Sequence, residues 1–236
     1  AFGSHASLIS VAAQSTYLVP AGMSIEAAAG VPIEFGTADD CLFEFGHLKA
    51  GETVLVQAGG GGVGLAAIQL AKRAGATVLA TASSDEKLER LKPFGMDHGI
   101  NYRTENFVAK TMQLTEGRGV NLVVDSVGGK TLEGSLAALA YRGRVSWVGN
   151  AGREDMIPDT RALMGKNASL NGVFLGAEMS AHPERCRAMI ERLLADIARG
   201  ELKVVIDRKF LPSRAADAHE YIEGRGAFGR VLLIPD

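Results

Sequence analysis

The sequence predicts a doubly wound α/β fold, a parallel sheet covered by helices on both faces. Three observations carry that reading. Strand-length apolar runs alternate with helix-length segments from Val54 to Arg199. The first run passes through a glycine-rich turn straight into a helix. The carboxyl ends of the runs, Gln57 to Gly64, Ala80 to Ser84, Asn101 to Arg103, Asp125 to Gly129 and Val148 to Gly152, are rich in glycine and small polar residues. Ligands bind at such strand ends in open α/β sheets.

Taken in order, Ala6 to Val11 reads as a strand. Phe35 to Leu42 leads into a helix with Cys41 as a buried thiol. Val54 to Val56 is the first strand of the regular series, and Val63, Ala67, Leu70, Ala71 and Ala74 follow at helical spacing. Next come a strand at Thr77 to Ala80, a helix from Asp85 to Pro93, a short strand at Gly99 to Tyr102 and a helix from Glu105 to Leu114. Val120 to Asp125 reads as a buried strand, Lys130 to Ala140 as a helix and Gly143 to Gly149 as a strand. Ser169 to Leu175 is the last strand of the sheet, before a long helix from Pro183 to Arg199 that Gly200 closes. Lys203 to Phe210 alternates as a strand, Pro212 opens a short helix and Arg230 to Ile234 is a final strand. This alternation of strand and helix implies a parallel central sheet with right-handed crossovers. The terminal strands fall outside this series and predict a second domain built from both ends of the chain.

Gly59, Gly61 and Gly64 satisfy G-x-G-x-x-G between the first strand and its helix. The spacing serves a tight turn, close approach of a pyrophosphate to bare backbone, and close packing of helix on strand. The helix N-terminus then offers amides and a positive dipole end to the phosphates. A dinucleotide site follows. An acid about 20 residues beyond the first glycine would mark NAD, but Thr77 to Ala82 holds none. The chain continues Ser83-Ser84-Asp85-Glu86-Lys87, hydroxyls and a cation suited to the 2′-phosphate of NADPH. The same residues make a good helix start, with serine as N-cap. Both readings hold together.

Composition excludes other classes. The 236 residues, 47% hydrophobic and 22% charged, are enough for a full core. A net charge of −2 and the lack of a basic, aromatic-rich cluster argue against nucleic acid. No apolar run reaches membrane-spanning length. Two cysteines, Cys41 and Cys186, give no disulfide framework and point to a reducing compartment, read as cytoplasm.

From Pro20 to Pro235 the chain resembles the medium-chain dehydrogenase/reductase superfamily, in its zinc-independent quinone oxidoreductase and enoyl reductase branch. The residues that carry this are Gly51 to Val56, Gly61-Gly62-Val63-Gly64 with Ala67 to Lys72, Ile100 to Arg103, Asp125 to Gly129, and Gly226 to Val231. The resemblance implies a Rossmann nucleotide domain at 31–200. A chaperonin-10-like catalytic domain would end within 1–30 and be rejoined by 201–236, most of it lying upstream of Ala1. It also implies roles. Gly62 and Val63 would lie on the pyrophosphate, and Ser83, Ser84, Lys87 and Tyr102 around the 2′-phosphate. Val127, Asn150, Ala151, Phe174 and Leu175 would frame the nicotinamide half, with Thr37 touching the cofactor from the domain boundary. Arg225 and Arg230 are each placed either on the cofactor or in solvent. In the resembled family the edge strand Ser169 to Leu175 pairs with its copy in a homodimer, which would protect an exposed apolar edge.

Catalytic zinc needs Cys, His and acidic ligands, and structural zinc four close cysteines. His5, His47, His98, His182 and His219 show no ligand spacing, and no metal site is expected. The expected activity is hydride transfer from NADPH to a quinone or an α,β-unsaturated carbonyl, an electron-poor acceptor that needs little acid assistance. No catalytic side chain is assigned, and the proton donor stays open between water and a residue of the catalytic domain. Two other readings stand beside this one: an NADPH-binding sensor or scaffold without turnover, and an NAD(P)-dependent alcohol dehydrogenase.

Overall fold

A computed structural model describes Ala6 and residues 8–235. The helices are α1 (Ile25–Ala29), α2 (Gly36–Asp39), α3 (Gly62–Arg73), α4 (Asp85–Leu91), α5 (Phe107–Leu114), α6 (Gly129–Ala137), α7 (Arg161–Lys166), α8 (Leu175–Ala181), α9 (Pro183–Ala198) and α10 (Ala215–Glu223). The strands are β1 (Thr53–Val56), β2 (Thr77–Ala82), β3 (His98–Asn101), β4 (Val120–Asp125), β5 (Leu139–Trp147), β6 (Ser169–Gly172), β7 (Ile206–Phe210) and β8 (Arg230–Leu233). Strands β1 to β6 form one parallel sheet in the order β3-β2-β1-β4-β5-β6. That is the dinucleotide-binding order, and the chain reverses direction across the sheet between β1 and β4.

Strand residues alternate between two cores, as a period of two requires. Val54, Val56, Val78, Leu122 and Val124 pack with α3, α9 and the helical segment around α2. Leu55, Leu79, Val123 and Val145 pack on the opposite face with Leu132 and Leu136 of α6. Both faces are buried, which is why these strands read as unbroken apolar runs. Polar caps set several helix starts: Asn106 accepts from the Val108 and Ala109 amides at 3.0 and 3.1 Å.

Several boundaries differ from expectation. Residues 8–11 form no strand; Leu8 is 90% exposed and no neighbouring strand pairs with the segment. Ser7, within the same expected strand, lies outside the described residues. Helix α6 stops at Ala137, and Leu139 already pairs with Val120, so the expected end of that helix belongs to β5. Strand β6 stops at Gly172: Phe174 is an N-cap and Leu175 opens α8. Residues 203–205 precede β7, which pairs only with β8, in parallel. Among the described residues no helix is long and apolar enough to cross a membrane.

Candidate functional site

The three motif glycines meet three different environments. A Cβ on Gly64 would lie 2.4 Å from the Ala58 carbonyl oxygen and 2.8 Å from Gly59 Cα, and one on Gly59 would lie 2.9 Å from Leu91 Cδ1. These two glycines let α3 close on β1. Gly61 is open: within 4 Å its Cβ would meet only the turn's own Ala58 carbonyl, at 3.4 Å. Gly61 caps α3 with φ −82 and ψ 170, and Gly62 and Val63 begin the helix. The first-turn amides of a helix have no intrahelical partner, so an exposed backbone surface beside a positive helix end faces the crevice. The turn itself needs Ala58 at φ 52, held by Ala58 N–H donating to Thr81 Oγ1 at 3.1 Å.

At the ends of β2 and β3, Ser84 caps α4 by accepting from the Lys87 amide at 3.3 Å, with Ser83 beside it. Tyr102, just after β3, is 41% exposed. The Lys87 ammonium donates to the Arg225 and Ala227 carbonyls at 2.8 and 2.9 Å. Burial lowers its pKa below the ordinary lysine value, with Asp207 opposing and the Arg90 and Arg103 charges lowering it further. Asp85, in the first turn of α4, accepts from Asn101 Nδ2 at 2.9 Å.

At the ends of β4 and β5, two turns are tied together. Ala151 N–H donates to the Ser126 carbonyl at 3.0 Å and Gly152 N–H to that of Val127 at 2.9 Å, with Asn150 against Gly128. Val127, Asn150 and Ala151 are thus neighbours. Phe174 is 73% exposed, whereas Leu175 is buried, packed over Gly36. Thr37 is buried in α2, which packs against α3. Asp125, at the root of the Val127 turn, is fully buried, and burial raises its pKa although three donors reach it.

The 225–230 segment crosses the glycine turn, which no sequence pattern announced. Gly229 N–H donates to the Gly60 carbonyl at 2.8 Å, and the buried Phe228 ring lies over Gly60 with the Arg90 guanidinium 3.9 Å from its centroid. Arg230 forms an ion pair with buried Glu34 beside Gly62 instead of standing free in solvent. Gln57, Thr81 and Ser135, also buried, were missed as well; their signal was a polar residue at the end or flank of an otherwise apolar element. Cys41 and Cys186 are free thiols, both buried, and burial raises both pKa values. Among the described residues no three His, Cys, Asp or Glu side chains converge as a metal site.

A profile of the family described as "Zinc-binding dehydrogenase" matches residues 62–195. The chain is 33% identical to a quinone oxidoreductase of Pseudomonas aeruginosa over 99% of its own length and 72% of that protein. It superposes on mycobacterial Rv1454c, solved in complex with NADPH, with a TM-score of 0.87 and 32% identity, covering 94% of this chain and 69% of the other. The enoyl reductase CurK gives a TM-score of 0.80 and 31% identity over 92% of this chain and 64% of that one, so the chain spans under two thirds of that relative. With its strand order, open Gly61 and these likenesses, the chain belongs to the medium-chain dehydrogenase/reductase superfamily, within the zinc-binding dehydrogenase family and on its quinone oxidoreductase branch.

Proposed function

We propose that the crevice between β1 and β4 binds NADPH, as part of an oxidoreductase that reduces a quinone or an α,β-unsaturated carbonyl without zinc. The observation that carries the cofactor choice lies at the end of β2. Where NAD enzymes place an acid, this chain places Ser83, Ser84 and Lys87, with Arg90 and Arg103 close enough to influence the lysine. The open face of Gly61 and the start of α3 fit a pyrophosphate. Bound NADPH would supply the hydride.

The chain's own residues bind and orient. Gly61, Gly62 and Val63 receive the pyrophosphate, with Gly59 and Gly64 closing the turn on the helix; Ser83, Ser84, Lys87 and Tyr102 hold the 2′-phosphate. Val127, Asn150, Ala151 and Phe174 frame the nicotinamide half, with Leu175 and Thr37 supporting from beneath. Residues 31–200 form the nucleotide domain, while 1–30 and 201–236 belong with a chaperonin-10-like domain. Support for the substrate class comes from the quinone oxidoreductase and enoyl reductase relatives. The reading without zinc rests on histidines without ligand spacing and two buried cysteines. The same cysteines support the cytoplasm. The protein is a homodimer through the β6 edge.

Titration with NADPH and NADH tests the cofactor. Lys87→Glu removes a charge-assisted bond worth about 1.5–3 kcal/mol, roughly 10- to 100-fold in NADPH affinity. NADH binding changes far less. Equal losses for both would show that Lys87 acts only through the Arg225 and Ala227 carbonyls and would remove the main support for NADPH. NADPH oxidation is then screened across quinones, enones and enoyl thioesters. Binding without turnover on any of them would identify a nucleotide-binding module instead.

A further inference from the structure

Four buried polar side chains run in one line beneath the crevice. Ser135 Oγ donates to Asp125 Oδ2 at 2.7 Å, and Gln57 Nε2 donates to Ser135 Oγ at 3.1 Å. Thr81 Oγ1 donates to Gln57 Oε1 at 2.8 Å and accepts from the Ala58 amide at 3.1 Å. At the other end Asp125 Oδ1 accepts from the Val127 and Gly128 amides at 2.8 and 2.9 Å. All four residues are at most 2% exposed.

The polarity of this line is dictated by its ends. A carboxylate only accepts, so the Ser135 hydroxyl must give it its proton and has only lone pairs left for Gln57. Gln57 therefore turns Nε2 to Ser135 and Oε1 to Thr81. The Thr81 proton goes to Gln57, which leaves its oxygen for the Ala58 amide. Every donor points toward Asp125. Each end also fixes a left-handed residue: Ala58 at φ 52 in the glycine turn and Gly128 at φ 75 in the Val127 turn.

Such a line is an expensive way to fill a core. β1 and β4 are otherwise apolar from Val54 to Val56 and from Leu122 to Val124, and apolar side chains there would carry no desolvation cost. The polar residues instead stand where the two ligand-facing turns leave the sheet, on either side of its reversal point.

We propose that Asp125, Ser135, Gln57 and Thr81 are positioning residues, a strut that sets the spacing between the glycine turn and the Val127 turn. It thereby places the nicotinamide half of the bound dinucleotide relative to its pyrophosphate. This rests on the NADPH reading above.

Gln57→Met and Ser135→Ala each cut the strut at mid-span and leave both turn anchors in place. The probes are NADPH and 2′,5′-ADP, the latter filling only the adenosine half; thermal melts of each variant establish that it is folded. Each substitution removes two of the strut's hydrogen bonds and is expected to weaken NADPH about 5- to 10-fold, with 2′,5′-ADP held within about twofold. Because the strut acts as one unit, the double variant should bind NADPH no more weakly than the weaker single variant. Unchanged NADPH affinity in folded variants, equal loss of both probes, or additive losses in the double variant would each overturn the strut. Should Ser135→Ala fail to fold, the probe split in Gln57→Met decides alone. Wild-type protein that binds neither probe would instead overturn the NADPH reading on which the strut depends.

Discussion

Gly59, Gly61 and Gly64 share one residue type but answer to different constraints, and substitution separates them. Gly61 has extended backbone and free space outside it, so valine fits the fold there and intrudes only on a phosphate. Gly59 is packed by Leu91, Ala80 and Ile68, the nearest 2.9 Å from a built Cβ. Gly59→Ala should cost about 1–3 kcal/mol in urea melts, as overpacking does. Gly61→Val should leave the melt unchanged and abolish NADPH binding in titration; normal affinity in that folded variant would refute the assignment of the turn. These glycines were legible because glycine identity records both the lack of space at Gly59 and Gly64 and the room left for a ligand at Gly61. Lys87 was legible as a cation at the right place, but its bonds to the Arg225 and Ala227 carbonyls were not, since they join residues 138 and 140 positions apart.

Elements with clean periodicity were recognised in sequence to within a few residues, whereas α1, α7 and α8 were not read and Phe35 to Leu42 was read only as leading into a helix. Residues 31–44 wind as π turns on either side of α2, with Glu34, Asp39 and Asp40 all buried. Their counter-charges, Arg230, Arg192 and Arg185, lie on distant β8 and α9, so local pattern reads the acids as surface. Val173-Phe174-Leu175 looks like a continuing strand because a short apolar run cannot separate strand from helix. Here it is the hinge between β6 and α8. Val173 N–H donates to the Trp147 carbonyl at 2.8 Å, into the sheet and not away from its edge. Val173→Pro should therefore destabilise the fold itself by about 1–3 kcal/mol, since it removes a sheet hydrogen bond and leaves the Trp147 carbonyl without its donor. Urea melts check this, and an unaltered midpoint would show that the bond contributes nothing.

At the scale of the whole molecule the sheet ends in two edges, β3 and β6, and large apolar side chains stand exposed near the β6 edge. Met164 and Phe174, near β6 along the chain, are 82% and 73% exposed, and Trp147, paired from β5 with Gly172, is 39% exposed. We expect this edge to be covered by a second copy across a two-fold axis, with sedimentation at micromolar concentration giving a dimer. A monomer would mean that another element shields it. The parallel sheet covered on both faces was legible at this scale, because alternating strand and helix leave few topologies. The return of residues 225–230 over the glycine turn was not, because nothing local in Phe228 or Gly229 names Gly60 as its partner. That return also orders events in time. A chain made from its N-terminus completes β1, the glycine turn and all of the parallel sheet before Phe228 exists, and domains generally begin to fold as they are synthesised. During translation Gly60 is therefore bare, its carbonyl still lacking the Gly229 amide, and the nascent sheet carries an unfinished crevice until its last strand pair closes over it.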